Sequence, residues 1–180
     1  MKQETQEIMK MKQVLDFDAT KGVARQGDVI IFKLPQDINI DKFLEIAPVN
    51  NRLILLEGEM TGHHHAIDLM EHSRTGTGSV NNIGLRKTNK IVEDMLSKAS
   101  ETTKAVVKMY LDTNVAKQLL DKNILTRIDL YVGTLVIEGG GDVGVVLGHE
   151  EHASIRLTEG CYYVGRQIES AGAEERIVRD

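Results

Sequence analysis

Arg52-Leu53-Ile54-Leu55-Leu56-Glu57-Gly58-Glu59-Met60-Thr61-Gly62-His63-His64-His65-Ala66-Ile67 is the stretch whose reading decides the fold. After Arg52, Leu53 to Leu56 form a dense apolar run, and such runs between turn signals read as buried strands. The run leads through a glycine turn straight into three histidines. A second segment answers it far downstream, His149-Glu150-Glu151-His152 after Gly148. Five of the six histidines lie in these two segments.

Working outward, more strand-like runs appear. Val29-Ile30-Ile31-Phe32 follows a loop from Gly22 to Gly27 and ends at Pro35. Leu130-Tyr131-Val132, Thr134-Leu135-Val136-Ile137 and Val143-Gly144-Val145-Val146-Leu147 are β-branched runs broken by glycine, with Gly139-Gly140-Gly141-Asp142 predicting a hairpin turn. Ala153, Ile155 and Leu157 alternate with Ser154 and Arg156, the mark of a half-exposed antiparallel strand. Thr158-Glu159-Gly160 is a turn, and Cys161 to Gln167 reads as the last strand before a charged peripheral tail, Glu169 to Asp180. Short strands between glycine turns predict an antiparallel barrel or sandwich.

Helical spacing appears in three places. Ile8, Met11 and Leu15 form one stripe over residues 3–15, within an N-terminal arm of residues 1–20. Asp41 is placed to cap one turn over Lys42 to Ile46. Ile91, Val92, Met95 and Leu96, then Val115, Leu119 and Leu120, mark a mainly helical insertion over 84–127, with Lys104 to Leu111 leaning to helix. Residues 68–84, rich in Gly, Thr and Asn, read as a loop. The expectation is thus a single mainly β domain over 1–180, α+β overall.

Composition limits the function classes. A chain of 180 residues can bury roughly 70% of its unfolded surface and needs no disulfides. Cys161, the one cysteine, sits in an apolar run and reads as a small buried residue. The net charge of −5 with no basic block gives no electrostatic footprint for nucleic acid. No apolar run approaches the ~18 residues of a membrane span, and the charged N-terminus is not a secretory signal. The expected setting is the cytoplasm of the producing cell.

On an extended segment, residues two apart share a face, so His63 and His65 project together and His64 points away. His149 and His152, three apart, share a face on a helical turn or tight bend. The four imidazoles His63, His65, His149 and His152 are the candidate ligands of a divalent metal, zinc foremost. Glu59 and Glu150 are candidates to orient the rings. The competing reading is a hydrogen-bonded or pH-responsive histidine corner. Glu71-His72-Ser73 has the residue types of a catalytic triad, but sequence neighbours have the wrong geometry for one.

Arg25-Gln26-Gly27-Asp28-Val29, Gly58 to His65, His149 to Ile155 and Gly160 to Gln167 together resemble a group of small uncharacterised bacterial and phage proteins. In that group the first motif reads Gly-Glu-x-Thr-Gly-His-x-His, which falls on His63 and His65; the second falls on His149 and His152. Residues from about 68 to 128 depart from the resemblance. It implies no activity. Cupins share the His-x-His element, but the glutamate and glycine that follow it there are not evident here. The leading expectation is a non-enzymatic structural or interaction protein, narrowed by the phage resemblance to a virion component such as a capsid decoration or accessory protein. Its partners would be copies of itself or a neighbouring structural protein. The alternative is a cupin-like metal-dependent enzyme with His63, His65 and His149 as ligands and Glu150 as general acid or base.

Overall fold

β-Branched and aromatic side chains suit a pleated, half-buried surface, and the apolar runs accordingly extend rather than coil. The computed structural model describes residues 14–18, 21–57, 62–69, 105–141, 144–171 and 174–177. In chain order these form β1 (Val14–Asp16), β2 (Val23–Gln26), β3 (Val29–Lys33), β4 (Arg52–Glu57), β5 (His64–Asp68) and β6 (Val106–Tyr110). The helix α1 (Thr113–Asp121) follows, then β7 (Tyr131–Glu138), β8 (Val145–Gly148), β9 (Ser154–Leu157) and β10 (Gly160–Arg166). A hairpin of β11 (Ile168–Ala171) and β12 (Glu174–Ile177) ends the described chain.

Two five-stranded sheets result, ordered β1-β9-β8-β5-β4 and β2-β3-β10-β7-β6. We call them the first and second sheet. Each keeps its own edges, so the fold is a sandwich and not a closed barrel. The antiparallel pairs β2–β3, β4–β5, β6–β7 and β8–β9 fall alternately in the second and first sheets. The main core lies between the sheets. Leu53, Leu55, Ile67, Leu147, Ile155 and Leu157 of the first meet Val29, Ile31, Met109, Leu135, Tyr162 and Val164 of the second. The outer face of the second sheet is packed by α1 through Val115 and Leu119, against Tyr163. Asp112 caps α1 by accepting the Asn114 N–H at 3.0 Å.

Several expectations are corrected. Val106–Tyr110 is a strand, not part of a helix. Val107 and Met109 alternate into the core with Lys108 between them, so the two-residue period prevails, and the helix begins only after the Asp112 cap. Lys42 to Ile46 make no helical turn. Instead, Ile46 N–H donates to the Met109 carbonyl and Leu111 N–H to the Leu44 carbonyl, covering an otherwise unpaired strand edge. Val23–Gln26, read as loop, is a strand joined to β3 through Gly27, whose φ is 53°. Gly139 to Asp142 does not close a hairpin, because β7 and β8 belong to different sheets. Val14–Asp16 is a strand parallel to β9 rather than the end of a helix. The charged tail contains the β11–β12 hairpin. Expectations for residues 1–13, for residues 70–84 of the 68–84 loop with His72, and for the helical spacing at 91–96 lie outside the described residues. Among the described residues, no helix is long and apolar enough to cross a membrane.

Candidate functional site

His65 is the second residue of β5 and faces the second sheet with no solvent exposure. Its Nε2 lies 2.7 Å from Asp28 Oδ1, and the Asp28 side chain is equally enclosed. Its Nδ1 lies 2.9 Å from Gln26 Oε1. Gln26 ends β2 and Asp28 sits in the β2–β3 turn, so both partners come from the sheet opposite. The Gln26 amide nitrogen donates back across the seam, to the Leu147 carbonyl at 3.2 Å and the Ala153 carbonyl at 2.7 Å. Side chains of the second sheet are thereby bonded to the backbone and to a histidine of the first.

This network fixes a proton count. Two donated bonds identify the Gln26 nitrogen, so its oxygen is the atom facing His65 and must accept. His65 therefore carries a proton on Nδ1. Nε2 lies 2.7 Å from a carboxylate oxygen as a close charge contact rather than an aligned hydrogen bond, and two buried acceptors so close need a proton on one of them. Either His65 is an imidazolium paired with a carboxylate, or a neutral ring accepts from a carboxylic acid. Both arrangements leave the pair neutral as a unit, which is what burial demands.

The other histidines pack onto this anchor. His149 stacks on His65 with centroids 4.3 Å apart and planes at 30°, and His152 stacks on His149 at 4.6 Å and 28°. His63 meets His149 edge-on at 5.7 Å. All four expected imidazoles are therefore brought together, and His63 and His65 share a face as strand geometry required. His64 stands aside, with Nε2 3.8 Å from Glu57, its cross-strand partner.

The bend at 149–152 has a local cause. His149 Nδ1 accepts the backbone N–H groups of Glu151 at 3.1 Å and His152 at 3.2 Å. A neutral His149 consequently holds its proton on Nε2. Glu150 reaches back to β5, where Oε2 accepts the His64 N–H at 2.9 Å and Oε1 lies 4.0 Å from Arg52. Burial works against the Glu150 carboxylate. The His64 amide, its own backbone, His149 and His63 outweigh that and hold it below the ordinary carboxylate range. Glu150 thus orients backbone rather than a ring, and Glu59 lies outside the described residues.

The chemistry follows from which atoms are engaged. Metal ligation by His65 would require giving up either Asp28 or Gln26. Among the described residues, no group of three or more His, Cys, Asp or Glu is disposed to hold a metal ion. Cys161 is half-buried, and that burial raises its thiol pKa, which disfavours the thiolate. Sequence reading placed Gln26 and Asp28 in a motif of the resemblance but gave them no role in the site. The available signal was their position: two polar residues directly before a strand as apolar as Val29 to Phe32 start at the edge of a core.

Fold and site together define a β-sandwich protein with a histidine clasp set between its sheets. Residues 25–92 match the family model described as Domain of unknown function (DUF8820). That segment is well under half of the chain; it contains Gln26, Asp28, His63 and His65 but not His149 or His152. No curated protein and no solved structure matches the chain.

Proposed function

We propose that this is a non-enzymatic structural or interaction protein in which the histidine cluster fastens the two sheets together. One observation carries the reading: both ring nitrogens of the enclosed His65 face side chains of the opposite sheet, Nδ1 hydrogen-bonded to Gln26 and Nε2 in close contact with the Asp28 carboxylate at 2.7 Å. A catalytic imidazole has to meet substrate with at least one nitrogen, whereas this one joins two layers of the fold. The narrower reading, a virion component such as a capsid decoration or accessory protein, is supported by the sequence resemblance to phage proteins. Its partners would then be further copies of the chain or a neighbouring shell protein.

A second reading keeps a metal at the cluster. It is favoured by the crowding of the His63, His149 and His152 rings beside Glu151, whose Oε1 lies 3.8 Å from His63 Nδ1. Among the described residues no three such groups are disposed to hold a metal as they stand, so zinc would require His63, His149 and His152 to turn from their packed arrangement, with His65 as the anchor beneath them.

Elemental analysis and urea unfolding of the native chain, with and without a chelator, separate the two. The clasp reading expects no stoichiometric metal and an unfolding midpoint unchanged by chelator. Stoichiometric zinc, with a midpoint that falls when it is stripped, would replace the clasp reading with the metal one. Mass spectrometry of particles purified from the producing cell tests the virion reading, which fails if the chain is absent from them.

A further inference from the structure

The cover over the outer face of the second sheet has a gap. α1 and the segment after it pack on Tyr163 and its neighbours, but between residues 124–130 and β2 they leave a cleft of about 200 Å³. Its floor is apolar and flat, because Phe32 and Tyr163 are cross-strand partners with rings stacked at 4.5 Å and 14°. Gly165 permits this geometry. The Tyr163 ring occupies the space that any β-carbon at 165 would need.

The rim is made differently. Arg25, Arg127 and Arg166 line it, and among the described residues no acidic one does. That is unexpected in a chain of net charge −5. Arg25 stands exposed on the edge strand, opposite Ile30, which is in turn opposite Gly165. It pairs with no acid among the described residues, while Arg127 is shared with Asp129 just outside the cleft. Gln167 also lines the rim; its buried side-chain oxygen is an acceptor and gives the anion no hydrogen bond. Guanidinium groups match carboxylate and phosphate oxygens in bidentate geometry, and pockets read ligands through an apolar body with a few convergent polar groups. The volume suits one ring with one anionic group.

We propose that this cleft binds an oxyanion, either a carboxylate or a phosphate monoester, carried on a flat apolar body. The site lies on the outer face of the second sheet and is independent of the histidine clasp between the sheets. The test is an amide NMR titration of the full chain with four probes: benzoate, phenyl phosphate, neutral benzamide and inorganic phosphate. Saturable shifts are expected at Ile30, Phe32, residues 124–130 and Tyr163 to Gln167. Benzoate or phenyl phosphate should bind at least tenfold tighter than both benzamide and inorganic phosphate. Whichever aromatic anion is tighter identifies the headgroup. Arg25→Gln and Arg127→Gln, made singly, should each weaken that probe several-fold with the remaining spectrum unchanged.

Four results would overturn the proposal. These are no saturable shift, benzamide matching the tighter aromatic anion, inorganic phosphate matching it, or folded variants binding as well as the native chain. The comparison among probes needs no variant, so it decides the matter even where a substitution disturbs the fold.

Discussion

Removing the Asp28 carboxylate is the most direct perturbation of the clasp. In Asp28→Ala, His65 stays enclosed with Nδ1 still donating to Gln26, but Nε2 loses its partner at 2.7 Å. If the ring then sheds its second proton, what remains is an unsatisfied buried nitrogen, worth about 1–3 kcal/mol. If it stays charged, the loss is that of breaking a buried ion pair, about 3–5 kcal/mol. The ring can always take the first course, so we expect about 3 kcal/mol. For a chain of this length that is a fall in Tm of roughly 6–12 °C. His65→Ala should cost at least as much, since it also removes the ring on which His149 stacks. The decisive measurement is the double-mutant cycle by urea unfolding at neutral pH. The double variant should be more stable than the sum of the single losses by about 0.5–3 kcal/mol, because each single change strands the other partner. Additive losses, or an Asp28→Ala variant within about 0.5 kcal/mol of native, would show that the pair does not fasten the sheets.

Further outcomes test the scaffold around the clasp. Tyr163, whose phenol burial pushes up to about 12, keeps its proton when folded after an unfolded tyrosine at its ordinary 10 has lost it. Stability should therefore be intact below pH 10 and fall as pH rises from there towards 12, and Tyr163→Phe should flatten that decline in a pH series of urea midpoints. Gly144→Ala should destabilise by about 2–5 kcal/mol, combining a φ of +61° with a collision against the Leu157 carbonyl, whereas Gly62→Ala, at φ +69° but in open space, should cost about 1–2 kcal/mol. Equal losses would mean that β8 and β9 do not approach as described. Leu119→Ala should cost about 2–5 kcal/mol and Leu120→Ala under about 1 kcal/mol, because the first is wholly buried beneath α1 and the second faces solvent. Thermal unfolding of the two variants checks which face α1 buries.

The strands were legible where apolar density was high, as at Val29 to Phe32 and Arg52 to Leu56. Period two also gave the shared face of His63 and His65, and the i,i+3 spacing gave the bend that brings His152 onto His149. Val106 to Tyr110 was ambiguous because five apolar-rich residues fit both periods, and only the facing β7 selects one. The Lys42 to Ile46 segment was misleading for a similar reason: Asp41 resembles a cap, but its backbone N–H donates to Asp112 at 2.6 Å instead. The partners of His65 were hidden by distance, since Gln26 lies 39 residues away on the other sheet. Sequence pattern reports which face a residue takes, not which opposite residue it will meet.

The position of the clasp bears on how the segment 25–92 can fold. Its described strands form two separate antiparallel pairs, β2–β3 in the second sheet and β4–β5 in the first. Among the described residues, no ladder joins these pairs. β3 is flanked by β10 and β5 by β8, and both of those strands come from the later part of the chain. Between the two pairs, His65 meets Gln26 through a hydrogen bond and Asp28 through a charge contact. Even that clasp is incomplete within the segment, because the Gln26 amide is oriented by the Leu147 and Ala153 carbonyls. Two isolated pairs of short strands are marginal in water, and one buried polar contact cannot offset the entropy of ordering them. A fragment of residues 25–92 should therefore show no cooperative unfolding transition by circular dichroism. Adding a second fragment, residues 105–180, should restore one if it supplies the missing β8 and β10. A fragment 25–92 that unfolds cooperatively alone would mean that its strands pair with each other, contrary to the sheet order described above.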